Sequence, residues 1–147
     1  EAGSSTDYAV EYTGVEGLTV GYAAGENNAT RGSETDSDTM YVKYAYGPVT
    51  VGVQESDLDA STAAATDEFS AMGITYQVND DMTIGYTESA YNAGDKGVDQ
   101  ESTNVSISYT MGSMTLAAAF VDEENRGGLT TEVNDMSGYA IDLAFAF

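Results

Sequence analysis

The stretch Gly138-Tyr139-Ala140-Ile141-Asp142-Leu143-Ala144-Phe145-Ala146-Phe147 decides how the rest of the chain is read. Large apolar side chains stand at 139, 141, 143, 145 and 147, with small or polar ones between them. In an extended strand, neighbouring side chains point to opposite faces, so this alternation makes one face wholly apolar and leaves the other small. A helix would need a period of about 3.6, and no such period is present.

Working upstream, the same two-residue period returns in eight more segments. The chain therefore reads as all-β, with strands near 8–13, 18–24, 40–46, 49–54, 69–78, 82–88, 103–111, 114–121 and 138–147. Short connections at 14–17, 47–48, 79–81 and 112–113 carry Gly, Pro, Asn and Asp and read as tight hairpins. They alternate with long connections near 25–39, 55–68, 88–102 and 122–138, which hold 18 of the 25 acidic residues. Strict short–long alternation collects the tight turns at one end of an antiparallel sheet and the long acidic loops at the other.

Composition removes whole classes of function. The 147 residues carry 25 Asp+Glu against 4 Lys+Arg, a net charge of −21, which repels nucleic-acid phosphates. With no Cys and no His there is no disulfide, no thiol nucleophile, no serine-triad chemistry and little prospect of a zinc site. No pair of carboxylates is marked out by a supporting residue, so catalysis is not expected. No apolar run reaches the ~18–20 residues of a transmembrane helix.

The question is then which face is wet. A soluble sheet packs one face and solvates the other, usually with charge. Here the second face is mainly Gly, Ala, Ser and Thr, while the first carries Val, Ile, Leu, Met and Phe with Tyr near the strand ends. An apolar band flanked by aromatics, backed by a small or polar face, is the pattern of a transmembrane β-barrel. A soluble acidic β-domain has the same period and stays open as the alternative.

The C-terminal alternation ending in Phe147 resembles the terminal strand of outer-membrane β-barrels. Segments such as Thr19-Val20-Gly21-Tyr22 and Thr83-Ile84-Gly85-Tyr86, with the acidic loops, resemble the C-terminal half of an alphaproteobacterial (Rhodobacter-type) general porin. The resemblance implies a 16-stranded antiparallel barrel in the outer membrane, assembled as a homotrimer, passing ions and small hydrophilic solutes. Nine strands are too few, and an odd number does not suit a bacterial barrel. An N-terminal part of the same barrel is therefore expected as partner, with seven strands preceding residue 1.

On this reading Glu11, Lys43, Gln54 and Asp142 face the lumen, where charge biases ion choice. Lys43 is the one basic residue expected there, with Arg31, Lys96 and Arg126 falling in loops. Tyr139, Ile141, Leu143, Phe145 and Phe147 form the C-terminal assembly signal. No cofactor is required. Asp36, Asp38, Asp57 and Asp59 are weak candidate Ca²⁺ ligands, since hard oxygens suit that ion, but no complete calcium-loop spacing is present. Two other functions stay open: a small structural or adhesive barrel filled by its own side chains, and a soluble Ca²⁺-binding domain. Deleting Phe147 is expected to lower the amount of protein in the outer membrane strongly, measured by membrane fractionation. Normal accumulation of the truncated protein would refute the terminal-strand reading.

Overall fold

The computed structural model describes residues 4–29, 33–60, 66–94, 97–129 and 135–146. Among them the chain forms a single antiparallel sheet: β1 (Ser4–Val15), β2 (Leu18–Ala29), β3 (Ser33–Tyr46), β4 (Val49–Ala60), β5 (Asp67–Asn79), β6 (Met82–Asn92), β7 (Gln100–Met111), β8 (Met114–Glu124) and β9 (Met136–Phe145). Spatial order follows sequence order, and every strand pairs with its sequence neighbours. β1 and β9 are the two edges.

The strands outrun the alternating apolar segments. The stretch 25–39, expected as a loop, is largely the paired ends of β2 and β3, with Glu26 opposite Asp36 and Asn28 opposite Glu34. Likewise β4 continues to Ala60 and β5 begins at Asp67, β6 reaches Asn92 and β7 begins at Gln100, and β8 reaches Glu124. The long acidic loops expected at 25–39, 55–68, 88–102 and 122–138 are thus much shorter. The reason is that a β-ladder is made by backbone N–H and C=O groups, which pair regardless of side-chain polarity. Hydropathy marks where the apolar band ends, and the ladder runs past it.

Four two-residue turns close the hairpins, at 16–17, 47–48, 80–81 and 112–113. Each of the first three turns is also tied to the strand that follows its hairpin, and the fourth to Ala146 just past the end of β9. The carbonyls of Gly17, Pro48, Asp81 and Ser113 accept the N–H groups of Ala45, Gln77, Thr110 and Ala146, all at 2.8 Å. At the 80–81 turn the Asn79 side chain accepts the Asp81 N–H at 2.9 Å, an Asx turn. Small bulges lie beside two turns, between Tyr12 and Val15 and between Gln77 and Asn79.

The sheet has no conventional core. Among the described residues no hydrophobic side chain is fully buried. The surface is 10232 Å², against about 7,200 Å² for a compact soluble chain of this mass. In β7, and over residues 71–74 of β5, the apolar side chains are the exposed set and their small or polar neighbours the sheltered one. That is the reverse of a soluble sheet, and it follows if the sheet curls with its small-residue face on the concave side.

Gly17 has φ +76°, and a Cβ there would run into the Ala45 carbonyl. Gly17→Ala is therefore expected to destabilise the β1–β2 hairpin by about 1–3 kcal/mol. Denaturant unfolding of the folded protein measures it, and a loss under ~0.5 kcal/mol would contradict the strain argument.

Candidate functional site

Register assigns each side chain to a face, because residues directly opposite in a ladder share one. One row crosses all nine strands: Glu11, Gly21, Tyr41, Gln54, Ala71, Ser89, Ser102, Glu123 and Met136. The adjacent row holds Thr19, Lys43, Gly52, Gly73, Thr87 and Asn104. A third runs from Gln77 through Thr83, Ser108 and Ala117 to Asp142. Glu11, Lys43, Gln54 and Asp142 thus lie on one face, the small one. The first three stand on β1, β3 and β4, while Asp142 sits apart on β9.

The same face carries acids that composition alone left in loops or unremarked: Asp7, Asp67 and Glu123. Each makes a local contact. Ser5 donates its hydroxyl to Asp7 at 3.2 Å. Asp67 accepts the Tyr91 hydroxyl at 3.1 Å and the Gly94 N–H at 3.2 Å. Glu123 pairs with Arg126 at 3.2 Å. Lys43 is exposed and makes no ion pair among the described residues. Arg31, Lys96 and Phe147 lie outside the described residues. Further polar atoms of this face bond to one another: Thr39 to Ser56 at 2.9 Å, and Gln54 to Ser56 at 3.2 Å.

Sequence reasoning missed Tyr41. It belongs to the small face of β3, and its hydroxyl donates to Glu11 on β1. A large aromatic on a face otherwise rich in Gly, Ala, Ser and Thr was the available signal. Only register shows that Gly21 lies beneath it.

The opposite face is apolar. Rows such as Leu18–Tyr44–Val51–Ile74–Tyr86–Val105–Phe120–Tyr139 and Val49–Tyr76–Ile84–Ile107–Ala118–Ile141 cross it. Tyr139, Ile141, Leu143 and Phe145 of β9 belong here, 82%, 67%, 55% and 54% exposed. Tyr8 and Tyr22 meet near its acidic end with ring centroids 6.1 Å apart. Beyond that end the same face turns acidic, with Asp36 opposite Asp59 and Asp38 opposite Asp57. These carboxylates therefore stand on the apolar side of the sheet, away from Glu11 and Lys43. Among the described residues no three acidic side chains come together to hold a metal ion.

An apolar face this wide, with no protein covering it, is suited to lipid hydrocarbon. Ile107→Arg, in the middle of that band, is expected to cost about 2–4 kcal/mol, while Ser108→Arg on the small face costs under ~1 kcal/mol. Unfolding from lipid vesicles compares them, and equal costs would contradict the assignment of faces.

Comparison with known proteins agrees with this geometry. The family described as Gram-negative porin matches residues 1–142. No curated protein matches. Two solved structures of OmpT, an outer membrane protein of Vibrio cholerae, share the fold. For the in-vitro folded form the TM-score is 0.65 at 17% identity, over 97% of this chain and 55% of that one. For the form expressed in the outer membrane it is 0.65 at 18%, over 97% and 56%. The chain spans about half the length of these structures.

Proposed function

This chain belongs to the Gram-negative porin family of the bacterial outer membrane, and from that premise we propose that it forms part of the wall of a water-filled channel for passive diffusion of ions and small hydrophilic solutes. The observation that carries the reading is the small face. Gly, Ala, Ser and Thr dominate its rows, and side chains of that size leave a lumen open, whereas small eight-stranded barrels fill theirs. Glu11, Lys43, Gln54 and Asp142 then line the water. The channel performs no turnover chemistry: it offers a wall and a potential.

Closure needs more strands. In lipid no backbone edge can stay unpaired. β1 and β9 are both odd members of an antiparallel series, so they run in the same direction and cannot close on each other antiparallel. An odd number of further strands completes an antiparallel barrel, and seven makes the 16 of the general porins. The half-length coverage of the solved barrels supports this. Homotrimer assembly, with the tight turns on the periplasmic side, belongs to the same reading.

Selectivity should favour cations, because Asp7, Glu11, Asp67, Glu123 and Asp142 share the small face with Lys43 alone among the described strand residues. Lys43→Glu in the intact barrel is expected to raise the cation:anion permeability ratio. The gain should shrink as salt rises, since the Debye length is about 8 Å at 0.15 M and 30 Å at 0.01 M. Neutralising Asp36 and Asp38, on the far side of the sheet, should register only at the lower salt. Reversal potentials across a planar bilayer measure both effects. A purified barrel that does not conduct would overturn the channel reading, and indifference to Lys43→Glu would overturn the part assigned to the wall charge.

A further inference from the structure

We propose that Tyr41 is a positioning residue of the channel wall: lying over Gly21, it tethers the Glu11 carboxylate to the wall and keeps its own ring out of the bore. The inference rests on the channel reading and concerns three neighbouring strands. Glu11 on β1, Gly21 on β2 and Tyr41 on β3 stand in one row of the small face. Gly21 is shut off from solvent although it faces this otherwise open side. What covers it is the Tyr41 side chain. A Cβ built on Gly21 would lie closer than 3.0 Å to Cε1, Cζ and the hydroxyl oxygen of Tyr41, nearer than real Cβ atoms come. The ring therefore runs from β3 across the bare backbone of β2, and its hydroxyl reaches Glu11 on β1.

Each part of this arrangement has its own physical cause. Glycine at 21 supplies the shallow seat, because any side chain there would lift the ring. The aromatic face covers backbone that Gly leaves bare, the use to which aromatics are put beside sheet glycines. The phenol-to-carboxylate hydrogen bond is charge-assisted and so stronger than a neutral one. It removes rotamer freedom that an exposed Glu otherwise keeps. A Glu11 held sideways along the wall acts on passing ions from the edge of the lumen. A released Glu11 extends into the water path, where its charge acts at shorter range.

The test uses the intact porin in planar bilayers, reading single-channel conductance and reversal potential. Tyr41→Phe keeps the ring and removes the donor. It is expected to raise cation preference with conductance unchanged, and to have no such effect in a Glu11→Gln background. Gly21→Ala lifts the ring into the bore and is expected to lower conductance, and adding Tyr41→Ser is expected to restore it. A shift from Tyr41→Phe that persists without Glu11, or no shift at all, overturns the tether. Should Gly21→Ala fail to assemble, the Tyr41/Glu11 cycle decides alone. A wild-type barrel that conducts while these variants are silent overturns only this inference, whereas a wild-type barrel that does not conduct overturns the channel reading beneath it.

Discussion

The whole structure depends on the requirement that backbone N–H and C=O groups find partners where water cannot supply them. In a bilayer an unpaired group costs several kcal/mol, so a strand must be paired on both sides. The chain meets this by the simplest route for β2 to β8, each of which lies between its sequence neighbours, and leaves β1 and β9 paired on one side. The four tight turns extend the same economy, since a carbonyl in each is taken up by the strand that begins or ends the adjoining hairpin. Pairing with near neighbours in sequence keeps loop-closure entropy low, which suits a sheet without a buried core to drive collapse.

From that constraint follows the inversion of the two faces. A sheet whose backbone is satisfied internally is free to show hydrocarbon outward, and here the apolar rows are the exposed ones. The opposite face carries mainly Gly, Ala, Ser and Thr. The ladder continues beyond the apolar band, so the acidic residues there stand on ordered strand rather than on loop. Asp36 and Asp59, or Asp38 and Asp57, face each other across β3 and β4 at positions where like charges repel. The backbone ladder holds in spite of them, and both sit beyond the apolar band where water can screen the repulsion.

The small face is less uniform than its composition suggests. Its carboxylates are held by Ser5, by Tyr91 with Gly94, and by Arg126, while Glu11 is reached by a tyrosine two strands away. Lys43 stands exposed among them. Electrostatics at this face is therefore a matter of which charges are fixed and which are free, a property that a count of acids and bases does not contain.

The sequence by itself determined the class, the number of strands among the described residues and the face of every alternating residue, because the side-chain period of a strand is two and a one-residue slip would exchange the two faces. The terminal run from Tyr139 to Phe145 and the valines of β4 needed nothing beyond that rule. The tight turns were legible too, since Gly, Pro, Asn and Asp carry their own backbone preferences. Strand ends were not: Asp36, Asp57 and Glu124 look like loop by polarity, yet they lie in ladders whose bonds ignore polarity. Nor was the row that joins Glu11, Gly21, Tyr41 and Gln54, which are spread over 44 positions of chain. Periodicity assigns a face, but only register between strands assigns a neighbour, and register is set by pairing across the sheet.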